Sequence, residues 1–127
     1  MSGSAKSVTF KIPMKLPSYN QWTNVHWAKR KRMKDEWEQY FFALLVQRNV
    51  KDELQPPIRI DIVAAFKDAR RRDIDNFSSC PALKGIQDAL VHAGVIPDDS
   101  TRYVRARTVE VITGADADYV TITLTGA

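Results

Sequence analysis

The spacing of apolar and polar positions changes several times along the chain. Residues 8–12 alternate weakly, the two-residue repeat of a short strand. Pro13 and Pro17 bound a loop that runs on through Ser18, Tyr19, Asn20, Gln21 and Trp22. Over residues 25–49 the period lengthens. Met33, Trp37, Tyr40, Phe41, Leu44 and Leu45 recur at helical spacing, which predicts a long helix with Asn24 as its cap. Pro56 and Pro57 break the chain, and Ile58, Ile60, Ile62, Ala64 and Phe66 then alternate through a second strand. After a charged loop at 67–76, Pro81 suits the first turn of a second helix capped by Ser79 or Cys80. Leu83, Ile86 and Leu90, with Gln87 at the margin, define its buried face, and Gly94 is placed to end it. Residues 102–113 and 118–125 read as strands joined by a turn at 114–116, a hairpin. The order β-α-β-α-β-β predicts one α+β domain over 1–127, a mixed sheet with two main helices. Residues 1–7 are expected to be flexible.

Composition narrows the class of protein more than it names one. A chain of 127 residues favours one domain with a sizeable core. Nineteen Lys and Arg against fifteen Asp and Glu leave a net charge of +4, a tilt toward anionic partners. Cys80 is the only cysteine, so no internal disulfide can form, in keeping with a reducing cytosol. No apolar run approaches the roughly 18–20 residues that cross a bilayer, and the first residues lack the apolar core of a signal peptide. A soluble intracellular protein with no membrane partner is expected.

The most informative stretch is 70–76. Arg70, Arg71 and Arg72 run directly into Asp73 and Asp75, with Asn76 behind them. In an extended chain residues i and i+2 point the same way, so the two carboxylates converge and repel unless a cation lies between them. Carboxylates bind hard divalent cations and arginines hold phosphate, a pairing suited to metal-assisted phosphodiester chemistry. The competing reading is a surface loop whose aspartates simply pair with the three arginines. Asp98 and Asp99 form an ordinary turn when taken alone. Lying just before the third strand, as the first pair follows the second, they could also meet that pair at one sheet edge. Lys84 lies off the apolar stripe of its helix and could reach a phosphate, although Asp88 one turn on offers an ordinary partner.

A second basic cluster, Lys29, Arg30, Lys31, Arg32 and Lys34, points almost all round the long helix. Arg30 falls in line with the apolar stripe, so these first turns are expected to project past the core into solvent or against phosphate. Trp22, His26 and Trp27 lie close by. Aromatics interleaved with cations suit unpaired nucleic acid; alternatively both tryptophans belong to the core and the charges only solubilise. His26 and His92 are too isolated for a histidine metal site, and Cys80 has no neighbouring ligand for zinc.

Together, Pro17-Ser18-Tyr19-Asn20-Gln21-Trp22, the 70–76 run, a lysine on the next helix, Gln87-Asp88-Ala89-Leu90, Ala93-Gly94-Val95-Ile96 and Asp98-Asp99-Ser100 resemble the RusA family of Holliday-junction resolvases over about residues 16–111. The resemblance implies a small homodimeric enzyme that cuts four-way DNA junctions with Mg²⁺, with Mn²⁺ as a substitute, in bacterial cytoplasm or encoded by a prophage or phage. It implies Asp73, Asp75 and Asp99 as metal ligands and Lys84 as the catalytic lysine, with Asn76 and Asp98 in supporting places. Both basic groups would hold backbone phosphates. One departure stands out: residues 77–82 make the gap between Asn76 and the lysine longer than the family pattern. The alternatives are a nuclease for other branched or flap DNA, a junction-binding protein without catalysis, and a small RNA-binding or regulatory module. The last would leave the acidic set unexplained.

Overall fold

A computed structural model describes residues 6–78 and 80–126. The strands are β1 (Ser7–Ile12), β2 (Ile58–Phe66), β3 (Val104–Thr113) and β4 (Tyr119–Thr125). The helices are α1 (Tyr19–Thr23), α2 (Trp27–Arg48), α3 (Asp75–Ser78) and α4 (Ala82–His92), with a 3₁₀ turn at Val50–Asp52. The expected α+β class and the two main helices are both present. Of residues 1–7, expected to be flexible, Ser7 belongs to β1, and the carbonyl of Lys6 accepts a hydrogen bond from the backbone of Gly126 at 2.9 Å. Residues 1–5 and the candidate cap Ser79 lie outside the described residues.

The four strands form one mixed sheet in the order β1-β4-β2-β3. β4 is antiparallel to both β1 and β2, while β2 and β3 run parallel. The expected β3–β4 hairpin is therefore not formed. Gly114, at φ +71, does turn the chain, but the connection steps across the end of β2. There the backbone of Ala115 donates to the carbonyl of Phe66 (3.0 Å), and Asp118 Oδ1 accepts from the backbone of Lys67 (2.9 Å). A turn signal marks where a chain reverses, not which strand it pairs with. β2, the most apolar strand, gains ladder partners on both edges by this arrangement.

One face of the sheet carries Val8, Ile12, Ile58, Ile60, Ile62, Val120, Ile122 and Leu124 into the core. The other face is polar: Thr9 and Thr123 share a hydrogen bond of 2.9 Å, and Asp61 accepts from Arg59 and Thr108. Burial on one face and hydroxyls on the other fit the period-two alternation of half-exposed strands. Trp37, Phe41 and Leu45, spaced one turn apart, anchor α2 against the core, whereas Tyr40 is exposed. The helix starts later than expected. Its cap is His26, whose Nδ1 accepts from the backbone of Ala28, while Asn24 closes the preceding helix instead.

α4 buries Ala82, Leu83, Gly85, Ile86, Ala89 and Leu90. Gln87, assigned to that face from its spacing, lies at the margin and turns to polar partners. Pro81 occupies the cap position itself, and the buried Cys80 packs in the core rather than capping. Gly94, at φ +76, follows the last turn as expected, and the backbone of Val95 donates to the carbonyl of Leu90. Helices α2 and α4 pack closely enough that a Cβ on Gly85 would lie 2.8 Å from the carbonyl oxygen of Lys34.

Candidate active site

The 70–76 run leaves the end of β2 and turns into α3. Residues 18–23 pack beside it. They form a short helix where only a loop was expected, and its signal was present in the sequence: Ser18 and Gln21 make a reciprocal capping box, each side chain bonded to the other's backbone N–H. The backbone N–H of Asn20 donates to Asn76 Oδ1 at 3.0 Å, tying α1 to α3. Between these segments lies an open cavity of about 770 Å³ lined by Arg71, Arg72, Asp73, Ile74 and Asp75 on one side and Tyr19 and Asn20 on the other. A smaller cavity of about 340 Å³ shares Arg71, Arg72 and Asp73 and adds Lys15 and Arg70.

Two of the arginines have partners other than the paired aspartates. Arg70 lies 3.6 Å from Asp68, a residue not singled out from sequence, and its backbone N–H bonds to Asp68 Oδ1 at 2.9 Å. That backbone bond, with the charges of Arg70 and Arg72, holds the Asp68 carboxyl below its ordinary value. The guanidinium of Arg72 stacks 3.9 Å from the ring centroid of Phe66, and its Nε and Nη2 are buried without a hydrogen-bond partner. Arg72 is half-buried and borders both cavities, and a guanidinium in that place is suited to an anionic ligand.

Lys84 and Asp99 are bonded to each other, and neither lines the larger cavity. Lys84 also lies 3.4 Å from Asp88, as its helical spacing suggested. The bond to Asp99 raises the Lys84 pKa above the ordinary lysine value; partial burial opposes the rise and the charge of Asp88 adds to it. Gln87 donates to Asp99 at 3.4 Å and accepts from Arg107, whose Nη2 reaches the carbonyl of Ser78 at 3.5 Å. A continuous set of contacts thus runs from α3 through Arg107 and Gln87 to Asp99 and Lys84. Asp98 is engaged in a turn by Ser100, whose backbone N–H bonds to it at 2.8 Å.

The basic cluster on α2 divides. Arg30 folds back to donate to the carbonyl of Val25 (2.9 Å), and Lys31 pairs with Asp35 (3.0 Å). Lys34 turns between the helices to Asp88 at 2.7 Å. Lys29 and Arg32 are exposed. The tryptophans divide as well: Trp22 is 7% exposed and in the core, Trp27 is 68% exposed.

Among the described residues no group of three His, Cys, Asp or Glu side chains is gathered as a metal site. The structure brings Asp73 and Asp75 to one cavity and leaves Asp99 with Lys84 and Gln87. Two hard oxygen donors beside an open volume fit Mg²⁺, which usually takes one or two protein carboxylates and fills its remaining positions with water or phosphate oxygens.

A family model described as endodeoxyribonuclease RusA matches residues 7–124, from the first residue of β1 into β4. The chain belongs to the RusA endodeoxyribonuclease family. A crossover junction endodeoxyribonuclease rusA of Enterobacteria phage HK97 is 33% identical over 88 residues, which cover 60% of this chain and 64% of that protein. No described helix is long and apolar enough to cross a membrane.

Two residues at or beside the candidate site of this RusA-family chain escaped the sequence reading. Arg107 had no local signature, because its partners Gln87 and Ser78 lie far away in the chain. Val109 and Val111 pack against the core from the same side of β3, and that strand-face periodicity could have pointed Arg107 toward α4. Tyr19 was treated as part of a loop; the capping box would have placed it at the start of a helix.

Proposed function

We propose that this RusA-family chain is a Mg²⁺-dependent, structure-selective endodeoxyribonuclease that resolves four-way junctions by paired symmetric nicks in DNA recombination and repair. The observation that carries the reading is the placement of Asp73 and Asp75 in one cavity with Arg71 and Arg72, in a chain that matches the family model almost end to end. The HK97 relative bears the name of a crossover junction endodeoxyribonuclease, and the acidic pair lies within the matched family region.

Asp73 and Asp75 would hold the cation. When bound, Mg²⁺ supplies a Lewis acid that polarises the phosphate and makes water a better nucleophile at neutral pH. Arg71 and Arg72 orient the scissile phosphodiester by charge-assisted hydrogen bonds, and Arg70, with Lys29 and Arg32 on α2, holds neighbouring phosphates. Lys84, an ammonium at neutral pH like any ordinary lysine, stabilises negative charge that builds on the leaving oxygen. In this role Lys84 exchanges Asp99 for the substrate, and Asp99 becomes available as the third carboxylate. A homodimer relates two such sites by a two-fold axis, as the two incised strands of a junction are related.

The second reading is a junction-binding protein without catalysis. It is favoured by the mutual pairing of Lys84 and Asp99 away from the cavity. A nuclease for flaps or other branched DNA shares every feature of the site. Incubating the protein with a synthetic four-way junction, a flap and a linear duplex, in Mg²⁺ and in EDTA, separates the three. Paired nicks in the junction alone, abolished by EDTA, are expected. Tight binding without cutting in Mg²⁺ or Mn²⁺ sinks the enzyme; equal cutting of flap or duplex sinks the resolvase and keeps the nuclease.

A further inference from the structure

The charged cavity also carries apolar surface that metal and phosphate chemistry does not call for. Tyr19 is 44% exposed and Ile74 is 46% exposed, and both line the 770 Å³ cavity with Asp73, Asp75, Arg71 and Arg72. Neither exposure is a chance of a loose loop. Ile74 sits in the turn that starts α3: its carbonyl accepts from the backbones of Phe77 and Ser78 at 3.0 and 2.9 Å. The inward position of that turn is taken by Phe77, which is buried with its ring 5.0 Å from that of Phe66. Tyr19 opens α1, and the bond from the next residue, Asn20, to Asn76 fixes its backbone against the acidic turn.

We propose that Tyr19 and Ile74 form a seat for an unstacked nucleobase next to the scissile phosphate. The inference rests on the reading of the chain as a nuclease of branched DNA, and it names what such a site selects. DNA offers an anionic backbone and flat bases. Arg71 and Arg72 match the former, and a phenol ring with an aliphatic ledge matches the π-face of the latter. The cavity lies within the roughly 300–1,000 Å³ of small-molecule sites, room enough for a nucleotide. Drawing a base out of a duplex costs unpairing and unstacking; at a branch point, where stacking is already interrupted, the cost is smaller. The seat thus converts the disorder of a branch point into preferential placement of its phosphate against Arg71 and Arg72, beside the acidic pair. Stacking accepts every base, so the seat selects shape before sequence.

The test is a cycle between protein and DNA. Tyr19→Ala is combined with abasic substitution, in turn, at the nucleotides flanking the scissile phosphate of a four-way junction. Each change alone is expected to lower cutting about tenfold, the effect of losing one base–aromatic stack. At one of the two flanking positions, both changes together are expected to do little more than either. Tyr19→Phe and Tyr19→Trp should restore most of the rate. Losses that multiply at both flanking positions, or a Tyr19→Ala variant that cuts normally, overturn the seat. Ile74→Ala carries the same cycle should Tyr19→Ala fail to fold, which thermal melting reveals. If the wild type cuts no branched DNA, the nuclease reading fails on its own account. The cycle run as binding affinity in EDTA then decides the seat: non-additive losses support it and additive losses refute it.

Discussion

The backbone N–H of Asn20 donates to Oδ1 of Asn76 at 3.0 Å, joining the first short helix to the turn that carries the acidic pair. Asn76, which itself lines the cavity, thereby locks the two walls together. An Asn76→Ala variant should lose about 1 kcal/mol of stability, the usual net worth of one hydrogen bond, and cutting should fall further than stability alone explains. Asn76→Asp keeps the acceptor and should melt close to the wild type. Urea denaturation of both variants checks this, and equal destabilisation by Ala and Asp would contradict it.

Lys34 and Asp88 clamp α2 to α4 at 2.7 Å, with both side chains partly buried. Burial pushes the Asp88 carboxyl upward, but the hydrogen bond and charge of Lys34, with the charge of Lys84, outweigh it and leave the pKa below the ordinary 3.8. A depressed folded-state pKa stabilises the fold above the unfolded value, and the contribution is lost as pH falls through the lower folded value. Asp88→Asn should therefore cost about 1 kcal/mol near neutral pH. The deficit against wild type should shrink as pH drops below 3.8, where the wild-type carboxyl also loses its charge. Paired urea melts across the acid range measure it.

Gly85 marks the closest approach of the same helices. A methyl group there would lie 2.8 Å from a backbone oxygen of α2, which cannot swing aside as a side chain can. Gly85→Ala is expected to destabilise by about 1–3 kcal/mol despite its better helix propensity. A melting temperature at or above wild type would show that the helices separate freely.

The two tryptophans should behave oppositely. Trp22→Ala empties part of the core and should cost about 3–5 kcal/mol. Trp27→Ala, at an exposed helix start beside Lys29 and Arg30, should leave stability within about 0.5 kcal/mol. It should weaken junction binding about tenfold if the ring stacks on an unpaired base. Filter binding at fixed salt, with a melt of each variant, gives both readings.

How far the sequence disclosed this molecule depends on the range of the contact concerned. Periodicity located β2, α2 and α4, because a half-buried element writes its buried face into its own residues. The pairing of β4 was hidden: its Thr-and-aliphatic alternation suits any neighbour, and only the packing of the whole sheet sets it between β1 and β2. The nearness of Asp73 and Asp75 was legible because one residue separates them, and both line one cavity. The partnership of Lys84 with Asp99 was not, since it depends on a loop of the folded chain returning beside α4. Lys34 shows the same limit. Its place in a basic run suggested solvent or phosphate, yet its nearest acid is Asp88 of the other helix.

In the proposed function, Asp73 and Asp75 carry the cutting and not the binding of branched DNA. Asp75→Asn tests it most directly, assayed on a four-way junction in Mg²⁺ for nicking and in EDTA for affinity. At least about a hundredfold loss of nicking is expected, the scale of removing a principal electrostatic contribution to catalysis. Affinity should stay equal or improve, because one negative charge has been taken away from beside the DNA. Nicking at the wild-type rate, or loss of nicking only in proportion to a loss of binding, would contradict it.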